Sequence, residues 1–165
     1  MFRERGVEIK SPEQIRLMRT AGLVVGETLD LMRRTVRPGI TTGELDAVAE
    51  DHIRSQGAVP SFKGYHGFPG SLCVSVNDEV VHGIPGGRVI EDGDVVSIDC
   101  GAIVEGWHGD AAVTVAVGEV PEEVRELIRV TEEAMWHGIA AARLGGRVTD
   151  ISHAVETYVR SQGDY

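Results

Sequence analysis

The chain has 165 residues, 42% hydrophobic and 25% charged, a profile that excludes a disordered polymer and sets the size of one domain. Sixteen basic against twenty-six acidic residues leave a formal net charge of −10, which disfavours nucleic acid and anionic lipid as partners, while an acidic site still attracts cations. No run of about 18 apolar residues occurs, no apolar stretch follows the charged start, and the only cysteines are Cys73 and Cys100, so neither a membrane span, a secretory leader nor a disulfide scaffold is expected and the compartment reads as cytoplasmic.

In chain order, Ser11-Pro12-Glu13-Gln14 carries the signals of a helix start: a capping serine, proline at the first helical position and Gln14 completing a capping box. Ile15, Met18, Gly22, Val25, Leu29, Met32 and Val36 then recur every three or four residues as a core-facing stripe, and Pro38-Gly39 stops the helix. Thr41-Thr42-Gly43-Glu44 opens a second helix, with Leu45, Val48 and Ile53 inward and a stop at Gly57. From about Pro60 the period shortens: Leu72–Val76 and Glu79–Val81 read as β runs around Asn77-Asp78. Residues 94–104 read as a strand, Glu105-Gly106 as a two-residue turn, and a second strand runs through Val117. Helices return over about 121–142 and 149–162. Glycine is in excess, 21 of 165 against a usual level of about 7%, scattered among turns and stops.

The last helices repeat the first. Arg54-Ser55-Gln56-Gly57 recurs as Arg160-Ser161-Gln162-Gly163, and at the same offset of 106 Arg37 matches Arg143, Gly39 matches Gly145 and Glu50 matches Glu156. Leu45, Val48 and Ile53 fall on Ile151, Ala154 and Val159, which keeps the apolar face. This predicts a duplicated helix–helix unit, the first copy over about 11–118 and the start of a second over about 119–165.

The hairpin sets out the chemistry. With Glu105-Gly106 as the turn, Asp99 faces Ala112 and Asp110 faces Gly101, so the two carboxylates share a face as diagonal neighbours about 5–8 Å apart. Either one takes up a proton, a divalent cation sits between them, or they face water. His82, at the mouth of Gly83-Ile84-Pro85, reads as a structural histidine, a donor to a substrate carbonyl, a proton shuttle or a ligand. Tyr65-His66-Gly67-Phe68-Pro69 gathers scarce aromatics into one loop, either as an anchor or as a pocket wall.

Taken together, Tyr65–Pro69, Cys73-Val74-Ser75-Val76-Asn77, Val81–Pro85, Ser97-Ile98-Asp99 and Trp107-His108-Gly109-Asp110 resemble the bacterial type I methionine aminopeptidases over nearly the whole chain from about Ser11. The resemblance implies an α+β pita-bread (creatinase/aminopeptidase-like) fold, here incomplete: the first helix–helix–sheet half plus the helices of the second. It implies removal of the initiator methionine from nascent proteins by a site that holds two divalent ions when complete, whether Fe, Mn, Co or Zn. Asp99 and Asp110 match metal ligands, Asp110 the bridging one; His82 matches the histidine that contacts substrate near the scissile bond. Tyr65, Phe68 and Cys73, with Phe62 as a further wall, fall on the pocket for the methionine side chain. The resemblance further implies the N-terminal Met of new polypeptides as partner, ribosome association in the cell and a monomeric complete enzyme. The family's remaining histidine and two glutamate ligands have no counterpart at matching positions, so these residues by themselves are expected to be inactive. The competing readings are a prolidase-like relative and a non-catalytic pita-bread binding module.

Overall fold

Ser11 caps the first helix as its neighbours require: the Gln14 N–H donates to Ser11 Oγ at 3.2 Å and the Ser11 N–H donates to Gln14 Oε1 at 2.8 Å. The computed structural model describes residues 8–165, which divide into one unit ending at Glu119 and another spanning Val120–Tyr165. In the first unit, helix α1 (Pro12–Thr35) is followed by α2 (Thr42–Ser55), opened by a second capping box between Thr41 and Glu44. Gly39 and Gly57, which end the two helices, take φ of +89° and +73°, a left-handed backbone that glycine adopts without a Cβ penalty.

The sheet contains β1 (Val59–Pro60), β2 (Leu72–Val76), β3 (Val95–Val104) and β4 (Trp107–Ala116), all antiparallel to β3. β4 takes one edge of β3, and β1 and β2 share the other in succession. Glu105 and Gly106 turn the hairpin at φ of +50° and +82°, the paired positive angles of a type I′ turn. The register is the expected one: Val104 pairs with Trp107, Asp99 with Ala112 and Gly101 with Asp110.

One face of this sheet is the core. Leu72, Val74, Val76, Val96, Ile98 and Cys100 are buried there with Val25, Leu29 and Met32 of α1 and Leu45, Ala49 and Ile53 of α2. Each fully buried side chain of this size contributes about 1.5–3 kcal/mol, which makes this the main source of the unit's stability. The helix rests directly on β4 at Gly109, where an added Cβ would lie 2.7 Å from the backbone of Ala21 and Gly22.

Two expectations fail here. The α1 stripe begins too early: Ile15 and Met18 are 55% and 39% exposed, and burial starts at Ala21, where the helix meets the sheet. Glu79–Val81 is not a strand, and Val80 is 85% exposed. Asn77, at φ +59°, turns the chain out of β2; its side chain donates to Asp94 and accepts from the Val95 N–H, both at 2.8 Å, and Glu79 bonds back to the Val76 N–H. These local bonds compete with ladder pairing and win.

In the second unit, α3 (Glu122–Ala141) and α4 (Val148–Gln162) pack where Gly138 admits Val155 and Ile151. Arg160 pairs with Glu156 at 2.8 Å, as Arg54 pairs with Glu50 at 2.8 Å, and Gly145 repeats the left-handed backbone of Gly39 at φ +83°. α3 buries Val130, Ala134 and Gly138, while α4 buries no residue fully.

Among the described residues, β4 pairs only with β3, and its other edge carries neither proline nor lysine to block pairing. With Val80, Val81, Ile84, Trp136 and Ile139 also exposed, the 165-residue chain is expected to self-associate at micromolar concentration. Light scattering during gel filtration checks this; a monodisperse monomer with one sharp thermal transition would contradict it.

Candidate metal-binding face

The sheet's second face carries the polar residues, because alternation along each strand sends them away from the core. Cys73 and Ser75 of β2, Ser97, Asp99 and Gly101 of β3, and Asp110, Ala112 and Thr114 of β4 share this face by register. Cys73 stands directly opposite Asp99, and Asp110 lies diagonal to Asp99 across the hairpin. Ser97 and Thr114 join hydroxyls at 3.0 Å in the next row.

Asp99 is half-buried, and its Oδ1 is shut from solvent without a hydrogen-bond partner. A buried carboxylate oxygen left in this state is costly unless protonated or bound to a cation. Its pKa is pushed up to about 6, first by burial and then by the charge of Asp110, with the positive charge of His82 opposing. Burial, then Asp99 and Asp110, push the Cys73 thiol up to about 11 and the Cys100 thiol to about 12, so both are neutral packing groups near pH 7. An orphaned oxygen beside a second carboxylate is the donor set a hard divalent cation fits. No group of three or more His, Cys, Asp or Glu is gathered for a metal ion among the described residues, so the pair offers only part of a coordination shell.

The aromatic residues differ in placement. Phe62 lies over Gly101, where an added Cβ would meet its ring at 2.7 Å, and so walls the face across from Asp110. Cys73 is buried, Phe68 is half-buried, and Tyr65 is 69% exposed, with its ring edge-on to His66 at 4.3 Å. A surface depression of about 410 Å³ runs along α1 beside Arg16 and Leu23, and the second unit has one of about 330 Å³ between His137 and Ser161; neither is lined by a residue of this face.

His82 lies in a loop and not at a strand end, because Glu79–Val81 does not pair, and it holds a left-handed backbone at φ +72°. Two features escaped sequence reasoning. The hydroxyl row of Ser75, Ser97 and Thr114 was open to detection, since each residue sits two positions from Cys73, Asp99 or Ala112 on its strand. Ser61 Oγ meets His108 Nδ1 at 3.1 Å, a contact across 47 residues that no local pattern announces.

The chain matches the model of metallopeptidase family M24 over residues 16–165. It is 52% identical over 156 residues to a methionine aminopeptidase of Clostridium acetobutylicum, covering 94% of this chain and 62% of that relative. Its fold matches the crystal structure of a methionine aminopeptidase from Thermotoga maritima at a TM-score of 0.86 and 40% identity, over 94% of this chain and 63% of that one. The prolidase of Pyrococcus furiosus shares the fold, with a TM-score of 0.82 at 23% identity, over 94% of this chain and 44% of that one. This chain therefore spans about 62% of the length of its curated relatives, with the first half of the pita-bread fold and the helices of the second. An aspartate pair on a two-stranded hairpin, backed by a match over all but the first fifteen residues, places the chain in metallopeptidase family M24.

Proposed function

We propose that the protein to which these residues belong removes N-terminal methionine from polypeptides in a metal-dependent reaction. The observation that carries this reading is the pair itself: Asp99 with a buried, unpartnered Oδ1 and Asp110 on the same face. The 52% identity to a relative named methionine aminopeptidase supports the substrate assignment over a prolidase, whose match stands at 23%.

On this reading Asp99 and Asp110 are metal ligands, with Asp110 bridging two ions drawn from Fe, Mn, Co or Zn. Divalent ions held there would polarise a carbonyl and lower the pKa of water. His82, on an exposed loop, donates to the substrate near the scissile bond. Phe62, Phe68, Tyr65 and the neutral thiol of Cys73 form an apolar slot that suits an unbranched thioether. A new polypeptide at the ribosome is the natural source of this substrate, and the complete enzyme is a monomer.

The pair leaves a divalent ion underligated. The purified 165-residue chain is therefore expected to release no methionine from a Met-Ala-Ser peptide with added Mn²⁺ or Co²⁺. Joined to the remaining segment of the Clostridium acetobutylicum relative, it is expected to release methionine. Asp99→Ala or Asp110→Ala in that chimera should lower the rate at least 100-fold. A chimera that folds, binds metal and cleaves only peptides with proline in second position would shift the assignment to prolidase; one that binds metal and cleaves nothing favours a non-catalytic module.

A further inference from the structure

His82 holds a backbone conformation that a non-glycine residue adopts only when its surroundings enforce it. The enforcing contacts come from the outer edge of β2. The Val74 N–H, pointing away from β3, donates to the Gly83 carbonyl at 2.9 Å. The Gly83 N–H donates to Ser75 Oγ at 3.1 Å. Gly83 sits so close to the strand that an added Cβ would lie 2.2 Å from the Val74 oxygen and 2.9 Å from Ser75 Cα. Gly83 is thus gripped through both of its backbone groups, its carbonyl by the Val74 N–H and its N–H, which belongs to the His82–Gly83 peptide, by the Ser75 side chain.

Ser75 is suited to that grip. It is only 6% exposed, it pairs with Ser97, and its side chain shares the face of Cys73 and Asp99. The Gly83 N–H belongs to the peptide unit that fixes ψ of His82, so the hydroxyl that receives it determines where the imidazole is carried relative to Asp99. The neighbouring turn uses the same device, with Glu79 accepting the Val76 N–H at 3.0 Å, which pins the loop at both of its ends.

We propose that Ser75 is a positioning residue that holds His82 in its left-handed conformation through the Gly83 N–H. This rests on the reading of His82 as the group that meets substrate and adds the residue that aims it.

Hydrogen exchange read by mass spectrometry, with fragmentation that resolves the Gly83 amide and the His82 C2 proton, tests this on the 165-residue chain. Ser75→Ala is expected to speed exchange of the Gly83 amide at least tenfold and to change the His82 C2 rate at least twofold. Amides of the β2–β3 ladder should stay within twofold, and Ser75→Thr, which keeps the hydroxyl, should restore both rates. Unchanged Gly83 and His82 rates in Ser75→Ala would overturn the proposal. Uniform loss of protection across β2 and β3 would also overturn it, by assigning Ser75 to strand stability. If the alanine variant does not fold, Ser75→Cys, similar in volume but a poor acceptor, is read by the same criteria. Neither metal nor peptide enters this measurement, so an inactive chimera and a failed exchange test are separable results.

Discussion

Gly109→Ala is expected to destabilise the first unit by about 3 kcal/mol, at the upper end of what overpacking costs and a large share of the roughly 5–15 kcal/mol that holds a domain of this kind together. The added methyl would lie 2.7 Å from Ala21 C, Ala21 O and Gly22 N, and all three are backbone atoms of α1. A flexible side-chain tip can swing aside, but a helix backbone moves only as a body. Lifting α1 off β4 at this point loosens Val25, Leu29 and Met32 from the core they share with Ile98 and Val96. Gly26→Ala, on the same helix with nothing within 4 Å of its added Cβ, is the control. It should stabilise by about 0.5–1 kcal/mol, because alanine loses less backbone entropy in a helix interior. Urea denaturation of both variants gives the comparison; a Gly109→Ala midpoint within error of the unsubstituted chain would show that α1 does not rest on the hairpin there.

That contrast shows what sequence reading reached. Element types and the hairpin register were legible because each rested on local chemistry: two capping boxes, a two-residue turn with a glycine, and alternation that put Asp99 and Asp110 on one face. At the offset of 106 the Arg–Glu ion pair and the left-handed glycine recur, while the matching apolar face is buried in α2 at Leu45 and Ile53 and only half-buried in α4 at Ile151, Ala154 and Val159. What was missed depends on distant partners. Ile15 and Met18 continue the periodic stripe of α1, yet the sheet they would face begins only at Ala21. Val80 and Val81 have strand propensity, but Asn77 and Glu79 satisfy the backbone of the turn first, and propensity yields to those bonds. His82 was recognisable as a candidate by its neighbours; that its backbone is left-handed and clamped by Ser75 required the fold.

Asp99 should contribute a loss of stability to the metal-free chain as pH rises, opposite in sign to the contribution of carboxylates such as Glu50, whose ion pairs with Lys63 and Arg54 hold its pKa down; comparison with Asp99→Asn isolates the Asp99 part of the slope. Asp99 titrates near 6 in the fold against 3.8 for the free side chain, mainly because burial penalises its charge and then because Asp110 repels it. Below the unfolded value both states carry the proton and the penalty vanishes. Between about 4 and 6 Asp99 holds more protons in the folded state than in the unfolded one, so its contribution falls with rising pH and levels off above 6. The full shift corresponds to about 3 kcal/mol, and screening at a half-buried site reduces it to about 1–2 kcal/mol. Asp99→Asn is therefore expected to raise stability by about 1 kcal/mol at pH 7, to leave it unchanged below pH 4 and to remove the Asp99 part of the pH slope. A divalent cation should invert that part of the slope in the unsubstituted chain, because the cation requires both carboxylates ionised. At a concentration one hundred times its dissociation constant the added stability is about 2.7 kcal/mol, which outweighs the apo penalty at pH 7. Calorimetric melting from pH 4 to 8, with and without Mn²⁺, checks both signs. If Asp99→Asn kept the unsubstituted slope, or Mn²⁺ stabilised that variant as well as the original chain, the strain would reside elsewhere and the pair would not be the cation's seat.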